Sequence, residues 1–116
     1  MDLNGLAKQA FEIAKTRGQK TDALSCLKHC SGELVEATEA YNNWTFNVGD
    51  DVQFADELAD VIMCILTLSA SENIDIEIAL KKCLEKNRKR AKFHSFMKDV
   101  KEYEVVSASE ANKGQE

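Results

Sequence analysis

The stretch Gly32-Glu-Leu-Val-Glu-Ala-Thr-Glu-Ala-Tyr41 decides how this chain is read. Glu33, Glu36 and Glu39 recur every three residues, and Leu34, Ala37 and Tyr41 add apolar side chains at helical spacing. In a helix, residues three apart lie on neighbouring turns of one side, so Glu33 and Glu36 direct their carboxylates into the same volume. A second stretch, Phe54-Ala-Asp-Glu-Leu-Ala-Asp-Val-Ile62, repeats that spacing with Glu57 and Asp60. These two acids stand among Leu58, Val61, Ile62, Ile65, Leu66 and Leu68. A carboxylate on a buried surface must be paired, protonated or bound to a metal. Two such pairs on two packed helices make a four-carboxylate cage, whose hard oxygens suit Mg²⁺, or alternatively Mn²⁺.

Working outward, four helices are expected. Leu6, Ala10, Ile13 and Ala14 form the stripe of a first helix over Leu3 to Arg17, stopped by Gly18. Thr21 or Asp22 can cap a second, from about Asp22 to Trp44, with Leu24, Leu27, Leu34, Ala37 and Tyr41 as its apolar stripe. Asn42 to Asp51 is a polar connection. A third helix then starts at Asp50 or Asp51 and runs to about Ser71, apolar nearly all round between Leu58 and Leu68, which marks it as the most buried element. Asp75 can cap a fourth, to about Ala91, with Ile76, Ala79, Leu80 and Cys83 inward. The expected fold is all-α: an antiparallel four-helix bundle over residues 1–98, followed by a polar, aperiodic tail over 99–116 that is expected to be mobile. So much apolar surface on so short a chain favours a homo-oligomer, a dimer or tetramer.

Composition bounds the function. The chain has 116 residues, no proline and 44% hydrophobic residues, enough for one helical core. No apolar run approaches the ~18 residues that would span a bilayer. The N-terminus lacks the basic start and apolar run of a signal peptide, so a soluble, cytoplasmic protein without a membrane partner is expected. Cys26, Cys30, Cys64 and Cys83 then read as reduced thiols. A zinc site is the weaker alternative, because a second close pair of cysteines is missing. The net charge is −5, yet Lys81 to Lys92 holds seven basic residues against the single acid Glu85. That strip reads either as a phosphate grip or as a solvated helix end favoured by the dipole. It is short and not interleaved with aromatics, so no stable nucleic-acid partner is expected. A di-iron carboxylate centre needs Glu-x-x-His on two helices. His29 and His94 are the only histidines, and neither follows a glutamate at that spacing.

The blocks Glu33-x-x-Glu36 and Glu57-x-x-Asp60 resemble the signature of the MazG-like nucleoside triphosphate pyrophosphohydrolases. The surrounding words agree: Gly32-Glu-Leu-Val-Glu-Ala37, Asp56-Glu-Leu-Ala-Asp-Val-Ile62, and a fourth helix closing on Lys86-Asn-Arg-Lys-Arg90. The resemblance spans about Leu3 to His94. Many members carry a further glutamate where this chain has Gly32, although some members of the dCTP- and dUTP-directed branches also lack it. The resemblance implies Mg²⁺-dependent hydrolysis of a nucleoside triphosphate to monophosphate and pyrophosphate. It implies that Glu33, Glu36, Glu57 and Asp60 hold the metal and carry the catalysis. It implies that Lys86 and Arg90, with Lys82 nearby, neutralise the phosphates, and that Asn87 contacts phosphate or sugar. Trp44, Phe46 or Tyr41 could stack on the base, although such aromatics more often belong to the core; Trp44 is the candidate carried forward. His29, one turn before Glu33, fits either a pocket rim or a structural hydrogen bond. Two other functions compete. A phosphoribosyl-ATP pyrophosphohydrolase shares a similar helical fold, but its lysine-rich acidic stretch is not found here. A non-catalytic helical interaction module would need no metal, and loss of one signature acid would have favoured it; none is lost.

Overall fold

The computed structural model describes residues 1–46 and 49–91. They form α1 (Leu3–Thr16), α2 (Ala23–Thr45), α3 (Asp51–Ser71) and α4, helical over residues 76–91. No strand occurs among the described residues, so the all-α expectation stands. The expected tail over 99–116 lies outside them. The chain divides into two compact units, Met1–Glu77 and Ile78–Glu116.

Local chemistry sets the helix ends. Asp2, Asp22 and Asp50 are the N-caps, accepting from the N–H groups of Gly5, Ser25 and Gln53 respectively. Each cap supplies an acceptor to a donor that has no partner within its helix. Gly18, at φ +73°, ends α1 in the left-handed region that a side chain disfavours. Asn73, at φ 55°, does the same after α3, and the Ile74 N–H returns to the Ser69 carbonyl at 2.8 Å.

Within the first unit, α3 packs against both α2 and α1. The α2–α3 pair is antiparallel. Tyr41 meets Phe54 at one end, and the Ser71 hydroxyl donates to the Thr21 carbonyl at the other. On α2, Cys26, Ala37 and Ala40 are buried and Cys30 and Glu33 half-buried, and the buried or half-buried residues of α3 include the series Phe54, Glu57, Val61, Cys64 and Leu68. Both series alternate steps of three and four, the spacing of a coiled-coil seam. This corrects the expected stripe of α2: Leu24, Leu27 and Leu34 are exposed, and the small residues pack instead. Small side chains let two helix backbones approach closely, whereas the leucines would hold them apart. On α1 the packed residues are Ala7, Ala10 and Ala14.

The expectation for α3 also needs revision. Cys64, Leu66 and Ser69 are buried, but Leu58, Ile62, Met63 and Ile65 are exposed. Its partners in the unit, α1 and α2, cover two sides of a helix that is apolar on more.

Across the foot of α1, Asn4 and Glu77 make a clasp. Glu77 Oε1 accepts from the Leu3 and Asn4 N–H groups at 2.7 and 3.3 Å. Asn4 accepts from the Ile76 N–H at 3.1 Å and donates to Asp75 at 2.9 Å.

Candidate functional site

Two positions of the α2–α3 seam that should be apolar are glutamates. Glu33 and Glu57 therefore turn toward each other between the helices, and Glu36, one turn on, joins them. One carboxylate oxygen from each of Glu33, Glu36 and Glu57 lies within 4.8 Å of the other two. Glu33 Oε2 and Glu57 Oε2 are buried and have no hydrogen-bond partner. Burial raises both carboxyls above their ordinary value, and the charges of Glu36 and Asp60 push in the same direction. Asp60 is thus close enough to act on the group electrostatically. Three of the four predicted acids, Glu33, Glu36 and Glu57, converge, and Asp60 lines the same cavity as Glu33.

The chemistry of this set fits a hard divalent cation. Buried oxygens without donors, on carboxyls that repel one another, are what such an ion would satisfy. Glu39 lies outside the group, three residues further along an exposed face.

His29 and Cys64 adjoin the acids. His29 Nε2 lies 3.1 Å from Glu33 Oε1, and Nδ1 lies 3.6 Å from Cys64 Sγ. In the tautomer protonated at Nε2, the ring donates to Glu33 and accepts from the thiol. Burial, with Glu33 next, pushes the Cys64 thiol up to about 11. A cavity of about 430 Å³ opens here, lined by Ala14 of α1, His29 and Glu33 of α2, and Asp60, Cys64 and Thr67 of α3, among others. The sequence pointed to His29 through its spacing from Glu33. Nothing local marked Cys64, which is 35 residues from its imidazole neighbour.

The aromatic candidates form a cluster that includes a residue not anticipated. Trp44 stacks on Phe54 with centroids 5.8 Å apart and an interplanar angle of 26°. Tyr41 meets both rings, at 6.2 Å from Trp44 and 5.5 Å from Phe54. Trp44 nevertheless stays 42% exposed, while Phe46 lies outside this stack. Gly49 sits close against the end of α2: a Cβ there would meet Gln53 Oε1 at 2.9 Å and Asn43 Cβ at 3.1 Å.

In the second unit, Lys82, Lys86 and Arg90 line one depression with Lys89 and Glu85. Cations four residues apart on a helix share a side, so the expected grouping is found, with Lys89 added. Asn87 is exposed and directs its amide toward Cys83 Sγ at 3.9 Å.

No curated protein and no solved structure matches this chain. A comparison with protein families does find a match. Residues 20–95, most of the chain and all of the signature acids and the basic strip, fit the MazG nucleotide pyrophosphohydrolase domain, and the chain belongs to that family.

Proposed function

We propose that this protein hydrolyses (deoxy)nucleoside triphosphates to monophosphate and pyrophosphate with Mg²⁺, clearing surplus or non-canonical nucleotides. The observation that carries the reading is the pair of buried, partnerless oxygens on Glu33 and Glu57, set in an acid group inside a MazG domain. Glu33, Glu36 and Glu57, with Asp60 beside them, would hold the metal. Bound there, Mg²⁺ polarises phosphate oxygens and lowers the pKa of attacking water. The chain's own part is to present these oxygens from one rigid seam and to offer a carboxylate as proton acceptor. Mn²⁺ suits the same oxygens.

Lys86 and Arg90, supported by Lys82, are proposed to neutralise the triphosphate, with Asn87 on phosphate or sugar. Their support is the shared depression in the second unit and their place in the matched region. Arginine and lysine contacts to phosphate are charge-assisted and stronger than neutral ones. Trp44 is proposed as a stacking platform for the base, supported by its exposure and its backing by Phe54.

A screen of common and damaged nucleoside triphosphates with Mg²⁺, read by chromatography, tests the reaction. Monophosphate and pyrophosphate are the expected products. Nucleoside diphosphate with inorganic phosphate as the main products would overturn it.

A further inference from the structure

Glu33 belongs to two groupings at once. It is a corner of the acid triad. With His29 and Cys64 it is also a corner of a second set, whose donor atoms lie within 4.8 Å of one another. The second set differs in kind. Imidazole nitrogen, thiolate sulfur and one carboxylate oxygen suit borderline-soft Zn²⁺ rather than Mg²⁺. We propose that His29, Cys64 and Glu33 form a Zn²⁺ site, and that Zn²⁺ bound there withdraws Glu33 from the acid triad and inhibits the enzyme.

The grouping of one donor atom from each residue within 4.8 Å carries the proposal. Zn–S near 2.3 Å and Zn–N or Zn–O near 2.0–2.2 Å place tetrahedral neighbours ~3.3–3.6 Å apart. His29 stands 3.6 Å from Cys64 and 3.1 Å from Glu33. These contacts use opposite ring nitrogens, so one nitrogen must be brought to the metal by turning the ring. The His29 side chain is 48% exposed, so turning the ring meets less packing than moving Glu33, at 17%, or buried Cys64. All three line the same cavity, which leaves a fourth position open to water or an anion. Binding forms the metal–sulfur bond and releases the Cys64 proton to solvent. The rival account is that the three groups make only a weak S–H···N contact and an N–H···O hydrogen bond.

Co²⁺ is the probe, added to the full-length protein and displaced by Zn²⁺. The expected result is a near-ultraviolet thiolate-to-cobalt charge-transfer band that stoichiometric Zn²⁺ removes. Cys64→Ser should abolish the band and Cys83→Ser should keep it. His29→Gln, on an exposed side chain, keeps the test open if Cys64→Ser fails to fold. It should weaken Zn²⁺ binding by more than about tenfold, the floor set by losing an outer-shell partner. No band, or a band that survives Cys64→Ser but is lost in Cys26→Ser or Cys30→Ser, overturns the site. The inhibition rests on the proposed pyrophosphohydrolase reading. Zn²⁺ should inhibit Mg²⁺-supported hydrolysis, and His29→Gln should raise the inhibiting concentration by more than about tenfold. A cobalt band without inhibition would refute the sharing of Glu33. If the protein hydrolyses no nucleotide, the spectroscopic arm still judges the site, so the two failures are distinct.

Discussion

Glu57 stands where the seam between α2 and α3 calls for an apolar side chain, and its carboxyl is raised above the ordinary 4.5 by burial and by neighbouring acids. The folded, metal-free chain therefore holds a proton there that the unfolded chain has already released. Where the folded state binds more protons, stability falls as pH rises. The stability this carboxyl contributes is present below its unfolded value and is lost as pH rises through its raised folded value. Glu57→Gln keeps the shape and cannot ionise. In chelator, Glu57→Gln should melt close to wild type at pH below about 4.5 and increasingly above it as pH rises. Comparing the two proteins at each pH removes the opposite trend of Asp22, whose carboxyl is lowered by its hydrogen bonds to Ser25. On the proposed reading Mg²⁺ binds only the folded acid group, so wild type should gain melting temperature with its concentration. Glu57→Gln and Asp60→Asn should gain less and lose activity by at least about 100-fold, the upper end for losing an outer-shell partner. Glu72→Gln, outside the acid group, should do neither. If Asp60→Asn lowers the metal-free melting point and leaves the Mg²⁺ response intact, the acids are structural and the metal reading fails.

At the level of elements, the helix ends and one mid-helix glycine can be probed separately. Glu77 accepts two N–H groups at the start of α1, where the positive end of the helix dipole adds to the attraction. Hydrogen bonds to a charged group contribute about 1.5–3 kcal/mol, so Glu77→Ala should cost an amount of that order by urea denaturation. Glu12→Ala removes only an exposed pair with Lys15 at 4.0 Å and should change stability by less than about 1 kcal/mol. Gly32 is exposed within α2, and a Cβ added there would meet nothing within 4 Å. Gly32→Ala should therefore stabilise by about 0.5–1 kcal/mol through helix propensity alone. A loss of stability would mean that a partner covers this face.

For the whole molecule, the apolar side chains that the chain leaves uncovered are the main feature. Leu34 and Val35 on α2 and Leu58, Ile62 and Ile65 on α3 are all exposed. An apolar surface of this extent favours association. Sedimentation at micromolar concentration should show an oligomer, and Ile62→Glu, at a position 54% exposed, should shift it toward monomer while leaving the helices intact. Leu66→Ala makes the contrast. Leu66 is 3% exposed, so its truncation should cost about 2–5 kcal/mol of folding stability without a specific effect on assembly. A monomeric, active wild type would count against the oligomer.

The sequence by itself determined the helices and the two i, i+3 acid pairs and narrowed the caps of α2 and α3 to two residues each, because capping and helical periodicity are local and are written in neighbouring residues. It also placed Lys82, Lys86 and Arg90 on one side of α4, for the same reason. Glu77, by contrast, had no role until its partners at Leu3 and Asn4 were seen, since they lie more than 70 residues away. Which face of α2 turns inward was likewise not legible. Periodicity marks both a leucine stripe and an alanine–cysteine stripe, but only the packing distance between two backbones selects the smaller side chains. That choice places Glu33 in the seam instead of at its edge. It also brings His29 to Cys64, a contact between residues on different helices that no local spacing encodes. The leucine stripe then remains outside because the tertiary structure, having closed the seam with small residues, has no partner for it among the described residues.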